Sequence, residues 1–282
     1  MEQIAENVYI EQGFPRVTLG ALKMAHGLVL IDSPFQAEDV HAWQSKLSHL
    51  GGGVERLLIL LDAHIDRIIA IREMETKVLG HEIAVDIISN YASSSSSREI
   101  EVDPESDQQE HAHGSRFAKP NMTFSGQVAI HWGSEPLLIT HKPGSHTAGL
   151  WVVYEAKKVV FIGDTVVRDQ PPFLAFADID RWIEDLHVLQ ADRFKDYTIV
   201  SSRNGIVAAE SILQMIEFLN LTKTLLDDLA EQEKPLKAVP DAASQLLTKI
   251  DFEPACRDRY LQRLICGLEH YLQGHYLQKE NH

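Results

Sequence analysis

Three side chains that could bind a metal ion lie within five residues of one another, directly after an apolar run. The segment Asp62-Ala-His64-Ile-Asp66 follows Leu57–Leu61. In extended backbone the residues at positions i, i+2 and i+4 point to the same side, so Asp62, His64 and Asp66 would converge. Carboxylate and imidazole ligands together suit zinc, iron or manganese. Taken alone, the segment fits equally well a surface loop in which an aspartate caps the following helix.

Two later segments could add ligands to the same site. Lys142-Pro-Gly-Ser-His146 begins a glycine-rich loop before a strand, and Val160-Phe-Ile-Gly-Asp164 is a strand that ends in a carboxylate. Each also has an ordinary structural explanation, as a histidine in a turn and as an aspartate that caps a helix. A common site therefore requires a fold that brings these segments together.

The elements that would position these residues are short apolar strands and amphipathic helices. We predict strands at Val8–Ile10, Arg16–Leu19, Gly27–Asp32, Arg56–Leu61, Val128–His131, Leu137–Thr140, Leu150–Tyr154, Lys158–Ile162 and Tyr197–Ser201. We predict helices at Gln36–Leu50, from Asp66 to Gly80, and at Asp178–Gln190, Ala208–Gln232 and Ala242–Gln273, the last two separated by Glu233–Pro240. This order suggests two sheets packed face to face with helices outside, although the periodicity fits other α/β layouts as well.

Composition restricts the partners and the compartment. The chain of 282 residues has 26 basic and 41 acidic residues, a net charge of −15 that argues against a nucleic-acid partner. The two cysteines, Cys256 and Cys266, are too far apart along a helix for a disulfide, which favours a reducing, cytoplasmic location. No signal peptide and no membrane-spanning run is evident, so we expect no membrane association. The oligomeric state cannot be predicted.

A polar segment interrupts the predicted strands. Ser93–Ser97 is a run of five serines, and an acidic stretch continues to Glu110. Without hydrophobic periodicity, Ser93–His113 is predicted to be a mobile surface excursion that proteases cut first. We expect His111 and His113 to be solvated.

Together, these segments resemble the metallo-β-lactamase fold superfamily over about residues 6–207. That family carries His-x-His-x-Asp-His after a strand, then a Gly-His-Thr-x-Gly loop, a strand ending in Gly-Asp, and a Gly-His-Gly turn. The matching segments are Asp62-Ala-His64-Ile-Asp66-Arg67, Gly144-Ser-His146-Thr-Ala-Gly149, Gly163-Asp164 and Arg203-Asn204-Gly205, together with an early strand that ends at Asp32. The resemblance implies an α+β, four-layer αββα sandwich at residues 1–207. Residues 208–282 would then form a C-terminal helical extension packed on it.

The resemblance also implies a first metal site. In the family three histidines form it, and the Gly-Asp carboxylate bridges it to a second site. Carried over by position, the ligands are Asp62, His64 and His146, with Asp164 as the bridge. Two histidines and a carboxylate form a known catalytic set for zinc or iron.

The second site departs from the family pattern. Its carried-over residues are Asp66, Arg67 and Asn204, and a guanidinium stays protonated and cannot bind a metal ion. Several carboxylates close together need a cation, so we infer that Arg67 replaces the second metal ion by pairing with Asp66 and with Asp164. We expect one divalent ion, zinc before iron or manganese, with a site that holds no metal as the alternative.

The resulting functional prediction is metal-dependent hydrolysis of a small molecule whose identity the sequence does not give. Asp66 or Asp164 would orient the attacking water and take its proton, and Arg67 would stabilise developing negative charge. The alternative is a non-catalytic binding or scaffold protein that keeps the fold without the two-metal site. A redox enzyme is a third option, which the lack of a flavin or second redox module disfavours.

Overall fold

Two β-sheets pack face to face at the centre of the molecule, and helices cover both outer faces. A computed structural model describes residues 1–93 and 117–277. The first sheet contains β1 (Glu2–Ala5), β2 (Val8–Glu11), β3 (Leu19–Lys23), β4 (Gly27–Ile31), β5 (Glu55–Ile59), β6 (Lys77–His81) and β7 (Met122–Phe124). The second sheet contains β8 (Gln127–Ile130), β9 (Leu137–His141), β10 (Leu150–Tyr154), β11 (Val159–Phe161), β12 (Thr198–Ser201) and β13 (Gly205–Ile206).

The α-helices of the described part lie on the outside. They are α1 (Ala37–Ser48), α2 (Ile65–Ile68), α3 (Glu82–Ser93), α4 (Ile179–Gln190), α5 (Ala209–Ala230), α6 (Pro235–Leu247) and α7 (Arg257–His275). Helix α1 packs on the first sheet, and α4 to α7 share one apolar cluster with the second sheet. The predicted αββα sandwich is confirmed. The division at residue 207 stays a prediction. None of the described helices is long and apolar enough to cross a membrane.

Strand direction brings the candidate residues to one edge. The first sheet is antiparallel from β1 to β4 and parallel from β4 to β7, while the second is antiparallel except between β11 and β12. Segments that follow parallel strands emerge at the same edge of a sheet. The Leu150 N–H donates to the Leu61 carbonyl at 2.8 Å and joins the two sheets there.

Strands β10 and β11 of the second sheet are buried on both faces, and alternation decides which residue faces which layer. In β10, Leu150, Val152 and Tyr154 pack toward the first sheet, whereas Trp151 and Val153 pack toward the helices. A strand buried in this way reads as a continuous apolar run, as Leu150–Tyr154 does.

Two predicted elements in the first half are wrong. Arg16 has φ +69°, a left-handed turn conformation, so the predicted strand Arg16–Leu19 starts only at its last residue. The predicted helix from Asp66 to Gly80 ends at Ile68 and is followed by a short 3₁₀ turn and then by β6. Its apolar positions also fit a buried strand, and periodicity alone does not distinguish the two.

The C-terminal part has three helices where two were predicted. Helix α6 begins with Pro235, whose missing N–H costs nothing in a first turn, and it also contains Pro240. The predicted helix Ala242–Gln273 is broken after Leu247 and restarts beyond Pro254. Both cysteines are free. The predicted excursion lies outside the described residues except for Ser93, as do His111 and His113.

Candidate metal centre

The segments predicted to carry ligands converge at the joined edge of the two sheets. Asp62 and His64 follow β5 in extended backbone, and α2 begins one residue later, so that it holds Asp66. His146 lies in the loop between β9 and β10. Asp164 follows β11 after Gly163, whose φ of +59° turns the chain back toward the site. The structure therefore brings the predicted segments together at one edge of the two sheets.

Three of these residues form a compact donor set. The ligand atoms of Asp62, His64 and Asp164 all lie within 4.8 Å of one another, and all three side chains are buried. The Nε2 atom of His64 is 3.4 Å from Oδ2 of Asp164. The ring of His146 lies edge-on to that of His64, with 4.7 Å between centroids. This set combines the carboxylate and imidazole donors that zinc, iron and manganese accept.

Arg67 penetrates the middle of this set. Its side chain is completely buried, and its two terminal nitrogens donate to Asp62 and to Asp164. Its Nε atom lies 3.5 Å from Oδ2 of Asp32. The expected pairing with Asp164 is present, but the described residues show no ion pair between Arg67 and Asp66. Asp66 is occupied by another cation.

That cation is Arg203, a site residue that the sequence analysis did not assign. Its Nε donates to Oδ2 of Asp164 at 2.8 Å, and its Nη2 to Oδ1 of Asp66 at 3.3 Å. A further bond from Nη1 reaches the carbonyl of Arg16 at 3.2 Å, and the side chain is only 3% exposed. The excess of aspartates was the one sequence signal that a second cation was needed.

Asn204 does not take part in the centre, contrary to the positional carry-over. Its Oδ1 accepts the N–H of Arg168 at 2.8 Å, and its Nδ2 donates to the carbonyl of the same residue at 3.1 Å. Both ends of the amide therefore hold the loop at Arg168. The neighbouring residue, Arg203, enters the site instead, where it donates to Asp164 and Asp66.

Asp32 connects the ends of three strands beneath the site. Its Oδ1 accepts the N–H of Leu61 at 2.9 Å, and its Oδ2 accepts the hydroxyl of Ser202 at 2.7 Å. Burial raises the pKa of Asp32 to about 6, although the nearby Arg67 charge opposes this shift. The carboxyl group is mostly ionised at neutral pH and adds to the negative charge of the site.

The three remaining carboxylates are held in their charged form. Burial alone would raise the pKa of each, but neighbouring cations outweigh it. Arg67 has the largest lowering effect on the pKa of Asp62, and Arg203 on those of Asp66 and Asp164. Among the described residues of the site, four buried carboxylates face two buried guanidiniums, which leaves an excess of two negative charges. One divalent cation would balance that excess, so charge and donor chemistry both fit a single ion.

Comparisons with known proteins agree on the fold. Residues 64–202 match the family model described as the metallo-β-lactamase superfamily. A metallo-β-lactamase family protein from Thermus thermophilus superposes with a TM-score of 0.68 at 15% identity, covering 96% of this chain and 95% of that chain. A β-lactamase domain protein from Burkholderia ambifaria gives 0.68 at 11% identity, covering 97% and 88%.

A smaller relative matches less of the chain. A metallo-β-lactamase from Pontibacter korlensis covers 76% of this chain and 99% of its own, with a TM-score of 0.55 at 15% identity. A search among curated proteins gave no match. At these identities the likeness concerns the architecture, and the chemistry has to be argued from the site itself.

Proposed function

We propose that the chain is a metal-dependent hydrolase of the metallo-β-lactamase superfamily with one metal ion, a proposal that the match of residues 64–202 to the family model supports. Two arginines would occupy the place of a second ion. The observation that carries the proposal is the excess of two negative charges around a donor set of Asp62, His64 and Asp164. A divalent cation is the simplest neutralising group for such a cluster.

The residues that would hold the ion are Asp62, His64 and His146, with Asp164 as the fourth ligand. Zinc is the first candidate, and iron or manganese the next. When bound, such an ion supplies a water molecule of lowered pKa and polarises a carbonyl or phosphoryl oxygen. The backbone N–H of His64 donates to Oδ1 of Asp62 at 3.0 Å, and that of Ala148 to Nδ1 of His146 at 3.0 Å. These bonds fix the orientation of the Asp62 and His146 side chains.

Proton transfer is assigned to Asp66. It is the most exposed of the four carboxylates, at 8%, and is therefore the one that solvent water reaches most easily. Because Arg203 and Arg67 outweigh burial and lower its pKa, Asp66 is held in the ionised form that a general base requires. Asp164, which is shared by both guanidiniums, would orient the attacking water.

Arg67 has a different role from the one expected from the sequence. A group that stabilises developing negative charge must reach the substrate. Arg67 has no exposed surface, and both of its terminal nitrogens donate to carboxylates, one to Asp62 and one to Asp164. We therefore assign it to positioning: it spaces the two carboxylates and fills the region of the second ion. The Arg203 guanidinium completes that replacement at Asp66.

We further propose a small-molecule substrate and a cytoplasmic location. The free cysteines Cys256 and Cys266 support a reducing compartment, and the net charge of −15 disfavours a polyanionic substrate. The bond that is hydrolysed is best sought with a panel of lactams, lactones, thioesters and phosphodiesters.

The test combines metal content with hydrolysis. Protein purified without added metal or chelator is analysed for metal per chain, and hydrolysis of the panel is measured before and after chelation and re-addition of zinc. We expect about one equivalent of metal and an activity that is lost and restored with it, both abolished by His64→Ala and His146→Ala. Protein that binds no zinc even after incubation would contradict the proposal and favour a non-catalytic binding role.

A further inference from the structure

A phenylalanine of the segment 170–179 covers the metal-ligand histidine on its outer side. The ring of Phe173 lies 4.8 Å from that of His64, measured between centroids. The Cζ atom of Arg203 lies 4.9 Å from the same ring and that of Arg263 only 4.2 Å. Phe173 therefore contacts a proposed ligand, the cation that replaces the second ion, and a residue of the C-terminal helix α7.

A second phenylalanine repeats this arrangement at the other histidine. The ring of Phe176 lies 5.6 Å from His146 and 5.6 Å from His270 of α7. The carbonyl of Phe176 also accepts the N–H of Thr147 at 2.8 Å, directly beside His146. Both proposed histidine ligands are thus packed against the same segment, and both phenylalanines contact the same helix.

One face of α7 holds this segment in place. Arg263, Gly267, His270 and Tyr271 have the helical spacing of a single face. The Arg263 guanidinium donates to Oε1 of Gln170 at 2.9 Å and to the carbonyl of Pro171 at 3.2 Å. Two other residues of this face contact the same segment. A Cβ on Gly267 would lie 3.1 Å from Leu174, so the helix packs closely there. The Tyr271 hydroxyl accepts the N–H of Ile179 at 3.2 Å.

We propose that Arg263 is a positioning residue for the metal centre, an inference that rests on the proposed function. Its guanidinium fixes the backbone at Pro171 and stacks on the ring of Phe173, which in turn restricts the imidazole of His64. Residues that orient a metal ligand from behind influence affinity without touching the ion. The C-terminal helix would therefore be part of the metal centre, although none of its residues is a ligand.

Arg259 offers a matched control on the same helix. Arg259 and Arg263 both stack on the ring of Tyr260, at 5.0 and 5.1 Å, and the contacts of Arg263 extend further, to Phe173 and Pro171. Replacing either one by glutamine removes one guanidinium from Tyr260 and one positive charge from α7. A difference between the two variants then reports on the contact with the metal centre.

The first measurement is zinc affinity, obtained by competition with a chromophoric chelator. We expect Arg263→Gln to weaken zinc binding about tenfold, the lower end of the roughly 10–100-fold range for such orienting residues, and Arg259→Gln to change it less than about twofold. Arg263→Lys keeps a cation above Phe173 and should recover part of the loss. Equal affinities for all four proteins would overturn the proposal.

The second measurement needs no metal. In the metal-free protein, the ring current of Phe173 shifts the imidazole proton resonances of His64, and Arg263→Gln should move them toward values without that shift. Phe173→Leu removes the ring and gives the size of the complete shift, while Arg263→Lys, which should cause part of it, serves in place of Arg263→Gln if that variant does not fold. If the parent protein binds no zinc, the proposed function fails, while this measurement still decides the positioning role. Unchanged His64 resonances in the Arg263 variant would refute it, whatever Phe173→Leu shows.

Discussion

Two pairs of histidines lie in ring contact, one in the candidate metal centre and one where β6 and β9 end. His64 and His146 meet edge-on at 4.7 Å, whereas His81 and His141 stack at 3.7 Å with an angle of 22°. In the stacked pair, backbone groups occupy the ring nitrogens: the carbonyls of Ser125 and Thr147 lie within 3.0 Å of the two Nε2 atoms, and Nδ1 of His81 accepts an N–H.

The difference between the pairs lies in their neighbours. Nε2 of His64 lies 3.4 Å from Oδ2 of Asp164, so the first pair adjoins the buried carboxylates. The stacked pair has backbone hydrogen-bond partners and Phe124 beside it. A histidine pair by itself is therefore no metal site, because what defines the centre is the carboxylate excess, which Arg67 and Arg203 reduce only in part.

The largest effect is expected from removing the central cation. Arg67→Ala would leave Asp62 and Asp164 buried without their main partner, and breaking such a pair costs about 3–5 kcal/mol of unfolding free energy. Thermal and urea melts without added metal measure it. Arg193→Ala is the control, because its pair with Glu155 is exposed and should be worth about 0–1 kcal/mol. If the two variants melt alike, Arg67 does not neutralise the cluster.

Substitutions in the two histidine pairs should affect zinc affinity to very different extents. His64→Ala and His146→Ala remove proposed ligands, and we expect each to weaken zinc binding by at least about 100-fold, or ~2.7 kcal/mol. His141→Ala removes a ring whose hydrogen bond goes to a carbonyl, and it should leave zinc affinity within about threefold. Competition titrations of folded variants decide between these outcomes. A loss on His141→Ala as large as that on His64→Ala would show that the stacked pair contributes to the centre.

Replacing both buried arginines by histidine should create a second zinc site. Arg67→His combined with Arg203→His would rebuild ligands beside Asp66 and Asp164. Zinc at about tenfold above its dissociation constant should then stabilise the double variant by a further ~1.4 kcal/mol through mass action. Melts over a series of zinc concentrations measure this. Arg67→His combined with Asn204→His is the control, since the Asn204 side chain binds Arg168 and should add no second ion. Equal zinc responses would contradict the assignment of Arg203.

The smallest effect concerns the stacked pair and pH. Burial lowers the pKa of His141 from its ordinary value of 6.5, with the His81 ring adding to that shift. The unfolded chain therefore binds the proton first as pH falls, so the free energy of unfolding decreases below about pH 6.5. His141→Gln cannot titrate and should show a flatter decline between about pH 7.5 and 5 in urea melts. Parallel curves for variant and parent would show that His141 titrates normally.

The sequence predicted the residues of the candidate centre that lie in segments next to strands. An apolar run followed by alternating ligands located Asp62, His64 and Asp66, and the family-like loops located His146 and Asp164. The partners of the arginines could not be predicted, because a long guanidinium side chain reaches carboxylates from many positions. For this reason the sequence did not predict that Arg67 binds Asp62, or that Arg203 enters the site in place of Asn204.

Long-range packing was equally inaccessible. Nothing in the local pattern of α7 reveals that Arg263 lies over Phe173, ninety residues earlier, because helix periodicity identifies a buried face without naming what covers it. The failed helix from Asp66 to Gly80 has the same origin. The spacing of its apolar residues fits a helix, but its last residues form β6, which pairs with β5 and β7.

The central claim is that one metal ion and two guanidiniums share this site. The most direct test is anomalous X-ray diffraction above and below the zinc absorption edge, on crystals of protein saturated with zinc. We predict a single anomalous peak among Asp62, His64, His146 and Asp164, with Arg67 and Arg203 still bound to their carboxylates. Two peaks with Arg67 displaced, or no peak at this edge of the sheets, would contradict the claim.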